Sequence, residues 1–313
     1  MTTSRLAANP LSVVEHDVGA RSSRLRIHAA SLARNKVALV SLLALMVVVC
    51  AALGAPWIAP HNPDQQHLAL RLHPPAWVHG GSWSYPLGND ALGRDILSRI
   101  IYGSRISILV GVSAVVLQGL IGIALGLVAG YHGGWLDSVI MRLTDLQYAI
   151  PFLVLALAVM AALGPSLKNV ILVLGITGWV YYARVVRSEV LSIRRQEFVE
   201  ATRSVGASNT RLMVKHVLPN VMSSIIVLAS LQVARMIISE ASLSFLGMGV
   251  PPSIPSWGDM VAEGRTYVTT AWWLSALPGL AIFITVMAVN LFGDWMRDEL
   301  DPTTKTYGDE PAG

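Results

Sequence analysis

The stretch E-F-V-E-A-T-R-S-V-G-A-S-N-T-R-L-M-V-K-H-V-L-P, Glu197 to Pro219, is a polar and basic island between two long apolar runs. Its reading decides how the chain is arranged. Phe198, Thr202 and Val205 recur at helical spacing while Glu197, Glu200 and Arg203 occupy the rest of the turn, which predicts a short amphipathic helix. Gly206 ends it, because glycine admits a left-handed residue and a sharp change of direction. Ser208 or Asn209 then caps a second short helix that stops before Pro219. The expectation is a helix, a corner and a helix, held out toward a partner.

The composition around this island is that of a membrane protein. Of 313 residues, 53% are apolar and only 13% charged, and the mean hydropathy is +0.56, far from a soluble globular chain. The net charge of +4 does not point to nucleic acid, because the basic residues are dispersed between apolar runs instead of gathered on one domain. The single Cys50 excludes a disulfide framework and a Cys/His zinc site. No H-E-x-x-H, G-x-S-x-G or C-x-x-C is present, so an enzyme reading gains no support. Without a G-x-x-x-x-G-K-[ST] no ATP site is encoded, and no cofactor is expected on this chain.

Six spans are expected. A basic tail, residues 1–36, precedes a charge-free run at 37–59 that is long enough to cross a hydrocarbon core of about 30 Å. Residues 60–104 form an outer segment in which Leu92, Ile96, Arg99, Ile100 and Gly103 follow helical spacing, predicting an amphipathic helix along the outer membrane face. A core of five further spans occupies residues 105–295. The first of these, Ile106 to Tyr131, carries Gly122, Gly126 and Gly130 at four-residue intervals, a smooth face for a neighbouring helix. The next runs as one span from Leu136 to Leu163, with Arg142 and Asp145 spaced to pair on one face. Leu167 to Tyr182 follows, then the island (193–219), then Val221 to Met248. Trp272 and Trp273 sit where an aromatic belt is expected, before a last span to Phe292 with Pro278 allowing a bend and an acidic tail at 296–313.

Orientation follows from charge. Most of the 23 Lys and Arg fall in the tails and the island, against Arg71, Arg94, Arg99, Arg105, Lys168 and Arg265 on the other side, so both termini and the island are expected in the cytoplasm. Arg235 and Glu240 lie within the fifth span. An intramembrane charge costs at least about 2.5 kcal/mol at the helix centre, so each needs a partner or water. Five residues at 100° each put them on different faces, so they do not satisfy each other. Arg235 is the candidate for the translocation path or a subunit interface at mid-depth, and Glu240 for its outer mouth.

The island resembles the EAA loop of ABC importer permeases, whose pattern is E-A-A, three residues, G, nine residues, I-x-L-P. Here it reads Glu200, Ala201, Thr202, then Gly206, then Leu218 and Pro219, with His216 at the Ile position. The run from Pro86 to Arg99, the stretch Glu240 to Pro252, P-S-W-G at Pro255 to Gly258, and Asn290 to Pro302 resemble the dipeptide/oligopeptide/nickel branch of that family, from which Tyr85 and Asn89 depart. The resemblance implies an all-α integral membrane protein with six transmembrane helices, the type I ABC importer permease fold, whose EAA loop is a cytoplasmic coupling helix. Glu200, Ala201, Gly206, Leu218 and Pro219 would then carry ATPase coupling. It also implies a second, homologous permease, two ABC ATPase subunits that hold ATP and Mg, and an external solute-binding protein that delivers peptides to the inner membrane. Nickel or another small solute is the alternative cargo. A channel or carrier that uses no ATPase would need polar groups along several spans, which spans one, two and six almost lack.

Overall fold

A computed structural model describes residues 31–300, so the tail readings for residues 1–30 and 301–313 lie outside the described residues. The fold is helical: α1 (Lys36–Ile58), α2 (Ile96–His132), α3 (Gly134–Tyr148), α4 (Phe152–Leu163), α5 (Leu167–Ile193), α6 (Glu197–Ser204), α7 (Asn209–Phe245), α8 (Trp257–Gly264) and α9 (Trp273–Leu300). Among the described residues the only bridge of β type is isolated, between Asn89 and Asp95. Helices α1, α2, α5, α7 and α9 are each long and apolar enough to cross a membrane, and α3 with α4 makes a sixth crossing if the pair counts as one span.

That pair is bent by 86°, so the stretch expected to run as one helix from Leu136 to Leu163 is broken. Pro151 is the cause. It has no N–H to give to Gln147, and it drives the residue before it away from helical dihedrals.

The glycine face of α2 meets α5. A Cβ on Gly122 would stand 2.4 Å from the Trp179 carbonyl, one on Gly126 2.8 Å from that of Ala183, and one on Gly130 2.9 Å from that of Arg187. Both helices therefore advance four residues at a time along one seam, with backbone against backbone. Gln118 closes the seam from inside. Its amide donates to the Leu174 carbonyl at 3.3 Å and its oxygen accepts from Gln232 at 3.1 Å, joining α2, α5 and α7 with two satisfied buried amides. Helix α1 is more loosely held: its buried residues are Ala38, Ser41, Ala52 and Ala55, all small, while Val40, Val47 and Leu53 are exposed to what would be lipid.

At the end expected to face outward the structure departs from the expected surface helix. Asp95 caps α2 by accepting from the Ser98 amide at 3.0 Å, so Ile96 to Gly103 are the first turns of a 37-residue helix, with Ile96, Arg99 and Gly103 buried. The short helix in this region is α8 instead. Trp257 is 2% exposed, donates its indole N–H to the Ile100 carbonyl at 2.9 Å and lies over Gly103; Gly258 presses on the backbone of Ala241. A buried ion cluster joins the two segments. Arg94 donates to Asp90 (2.6 Å) and to Glu263 (2.9 Å), and Arg99 to Asp90 (2.5 Å) and Glu263 (2.8 Å), with Asp259 at 3.9 Å from Arg99. Of the expected aromatic belt, Trp272 is exposed, but Trp273 is buried with Ile96, Met260 and Leu274.

Candidate functional site

The island forms α6, a corner and the start of α7. Gly206 has φ +86°, its N–H donates to the Arg203 carbonyl at 2.9 Å, and the Ala207 N–H donates to the Thr202 carbonyl at 3.4 Å. These two bonds are the Schellman termination of α6, which needs a residue in the left-handed region at that position. Ser208 then caps α7, its hydroxyl accepting from the Arg211 amide at 3.4 Å. The second helix does not stop before Pro219, as expected from the sequence, but continues into the fifth span. A π-helical turn, Met213–Val217, precedes the proline, and the Leu218 N–H reaches back to the Met213 carbonyl. The widened turn removes the demand for a hydrogen bond where proline has none to give.

One side of the loop is fastened to the bundle and the other is bare. Val199 and Leu212 are buried. Tyr131, at the C-terminal end of α2, accepts from Arg203 at 3.2 Å and donates to Asn209 at 3.1 Å, bridging both arms of the corner. Arg194 donates to the carbonyls of Gly130 and Tyr131 at 2.9 and 3.1 Å. Glu200, Ala201, Gly206 and Pro219 are exposed and Leu218 is half-buried. Val205 is 89% exposed, Val214 55% and Phe198 39%. Apolar side chains around an exposed carboxylate, on a backbone held from behind, make a surface suited to docking a protein cleft.

Arg235 lies elsewhere, roughly 24 Å along α7 from Pro219 at 1.5 Å per residue. Its side chain is exposed on this chain, with its guanidinium 4.7 Å from the centre of the Tyr181 ring. Tyr181 meets Tyr148 edge to face at 5.4 Å, and Arg184 covers Tyr148 at 4.3 Å. Arg184 also pairs with Asp145 at 2.5 Å. The expected partner of Asp145, Arg142, is thus replaced by an arginine already held flat above the neighbouring tyrosine. No carboxylate among the described residues pairs with Arg235. A cation–π contact supplies about 0.5–2 kcal/mol, less than the least cost of a charge at mid-bilayer, so the tyrosine alone does not settle it. Beside the tyrosines, at the break between α3 and α4, is a cavity of about 240 Å³ lined by Gln147, Tyr148, Phe152, Leu155, Thr177 and Tyr181 among others.

Glu240 is 0% exposed, so it lines neither the mouth of a path nor a subunit interface. It accepts from Ser244 at 2.9 Å and from Ser107 at 3.4 Å, which ties α7 to α2. Three further side chains escaped the sequence reading. Tyr131 was taken only as the end of a span. Tyr148 and Tyr181 carry no motif, and the one signal near them was Pro151, which marks the break where Tyr148 ends its helix.

Residues 122–306 match the family described as binding-protein-dependent transport system inner membrane component. Residues 23–75 match the N-terminal TM domain of oligopeptide transport permease C. The chain is 46% identical over 275 residues to a di/tripeptide transport system permease protein, DppC, of Pseudomonas aeruginosa, with 88% of this chain and 91% of that one covered. It is 45% identical to the dipeptide transport system permease protein DppC of Escherichia coli K12, with 87% and 91% covered. Among solved structures, a chain of the MetNI methionine ABC transporter in inward facing conformations aligns with a TM-score of 0.54 at 17% identity. The alignment covers 65% of this chain and 96% of that one, a likeness of fold.

Proposed function

This chain belongs to the family of binding-protein-dependent transport system inner membrane components, and on that premise we propose that it forms half of the transmembrane path of an ATP-driven importer for di- and oligopeptides. The observation that carries the reading is the inner loop. Its arms are fixed by Tyr131 and Arg194, while Glu200 and Val205 are left facing outward with none of the described residues over them. Such a surface is built to be covered. The partners are two ABC ATPase subunits, which hold ATP and Mg and which Glu200, Ala201, Gly206, Leu218 and Pro219 address. A second, homologous permease completes the path, and an external binding protein supplies the peptide. The relatives at 45–46% identity are named for dipeptides and di/tripeptides, which favours short peptides as cargo. Both termini and the inner loop lie on the cytoplasmic side of the inner membrane.

One preparation tests these points together. The chain, tagged and expressed with its neighbouring subunits, should copurify with an ATPase and a second permease, and in proteoliposomes should take up a labelled dipeptide only with ATP and a loaded binding protein. In cells carrying Cys50→Ala, a cysteine at Lys168 should react with an impermeant thiol reagent from outside, and one at Asn209 only after lysis. Purification of an ATPase-free chain that still transports would reject the reading.

A further inference from the structure

Three elements place aromatic and cationic groups side by side: Tyr148 at the end of α3, Tyr181 and Arg184 in α5, and Arg235 in α7. They form a continuous ladder, Arg184 on Tyr148, Tyr148 against Tyr181, Tyr181 under Arg235. Its two ends are not alike. Arg184 has Asp145, whereas Arg235 has, among the described residues, the face of an aromatic ring and no carboxylate. A positive charge is therefore held over an aromatic face with its hydrogen-bond donors unspent on any carboxylate of the described residues.

We propose that Arg235, braced by Tyr181, is a transient binding station for the carboxylate of the passing peptide, whose adjoining side chain enters the cavity at the break between α3 and α4. The cavity suits that cargo. Ile150, Phe152, Leu155 and Val180 give it apolar walls, and the Tyr148 and Tyr181 rings with Gln147 and Thr177 give it polar edges. An arginine fork matches a carboxylate through two parallel hydrogen bonds, while the tyrosine face keeps the fork aimed without neutralising it. The break contributes as well, since the first amide N–H groups of α4 have no helical acceptor. Release remains easy because the station holds one end of the peptide only.

This inference rests on the transport reading above, and its test separates the two. Ile150 lines the cavity and is 44% exposed. In the assembled complex carrying Cys50→Ala and Ile150→Cys, an anionic methanethiosulfonate should react several-fold faster, relative to a cationic one, than it does with a free thiol. Arg235→Gln should abolish that preference and Arg235→Lys should keep most of it, because a charge within a Debye length of the thiol is what sets it. In proteoliposomes Arg235→Gln should lower dipeptide uptake at least tenfold while the loaded binding protein still stimulates ATP hydrolysis. An unchanged reagent preference in Arg235→Gln overturns the station, as does normal uptake. Loss of the second permease from the purified Arg235→Gln complex overturns it too, assigning the residue to the subunit interface. Absence of ATP-driven dipeptide uptake in the unmodified complex instead removes the transport reading itself.

Discussion

The two ends of the helical bundle, expected outer and inner, each carry signature stretches, and the fold treats them in opposite ways. At the expected outer end, Pro86 to Arg99 and Trp257 to Glu263 are turned into each other: Asp90, Arg94 and Arg99 are buried, both arginines pair with Asp90 and with Glu263, and Trp257 is sealed against Gly103. At the expected inner end, Glu200, Val205 and Gly206 are bare among the described residues, and the rear of the loop touches the bundle. The residues of the first set are explained by one another, while those of the second have no cover among the described residues. Motif strength in a sequence therefore does not distinguish a stretch that builds the subunit from one that addresses a partner. Whether its polar groups are satisfied at home does.

The largest test of that contrast is Arg99→Leu. Arg99 is 1% exposed and bonds Asp90 and Glu263 at once, so its removal leaves those two carboxylates to share Arg94 alone and leaves Asp259 with no cation within 4 Å among the described residues, in a site with little access to water. Breaking a buried pair from one side costs about 3–5 kcal/mol. The variant should accumulate poorly and melt well below the parent in detergent, with the damage localised by rapid amide exchange in α8. A melting curve within a degree of the parent would show that the cluster is not structural.

Gly206→Val probes the opposite end and should leave melting almost unchanged while uptake falls at least tenfold. A Cβ on Gly206 meets nothing within 4 Å, so the substitution acts through the backbone alone: φ +86° is costly for a β-branched residue, of order 1–3 kcal/mol, and the exposed corner can shift to escape it. Gly206→Asn keeps the left-handed option open and should transport near normally. Equal loss in both variants would mean that the side chain's bulk, and not the angle of the corner, is what the partner rejects.

The spans were legible because lipid imposes a length and an apolarity that few sequences meet by accident, and the α2 glycines because four-residue spacing admits a backbone neighbour whatever its identity. Gly206 was legible for the same local reason. What escaped depended on partners distant in sequence or on one residue within an apolar run. Arg99 and Glu263 lie 164 positions apart, and nothing in the helical spacing of Leu92 to Gly103 tells whether that face meets lipid headgroups or a carboxylate. Pro151 was hidden in a hydropathy average that counted Leu136 to Leu163 as one span. Pro219 misled in the other direction, since a π turn upstream let the helix run through it. Glu240 was placed correctly along α7 but assigned to the mouth of a path, because position in the sequence gives depth and not the company of Ser107 and Ser244.

The smallest expected effect concerns the one member of the outer cluster that lacks a close partner. The cluster sets Asp90, Asp259 and Glu263 against Arg94 and Arg99, so one carboxylate is in surplus. Asp259 holds that position, 3.9 Å from Arg99, with a carboxylate oxygen that has no hydrogen-bond partner among the described residues. Burial, and then the charge of Glu263, push its pKa up to about 6, against the pull of Arg99 and Arg94. Glu240, on α7, faces the same region. A folded-state pKa above the unfolded one means that the native state binds the proton more tightly, so this contribution is most favourable below the ordinary aspartate range and is lost as pH rises through about 6. Near neutral pH the carboxylate is then a net burden on the cluster. Asp259→Asn removes the charge with little change of shape and should melt above the parent at pH 7.5, by a margin equivalent to about 1 kcal/mol once solvent access and the lost favourable charge at the start of α8 are allowed for. As pH falls from 7 to 4.5 that margin should shrink, because the parent increasingly protonates the same group, and it should vanish only below the ordinary aspartate range. A margin that stays constant across the range would place the titration elsewhere in the cluster, and a variant less stable than the parent at pH 7.5 would mean that the 3.9 Å approach to Arg99 outweighs burial, making the outer cluster fully paired.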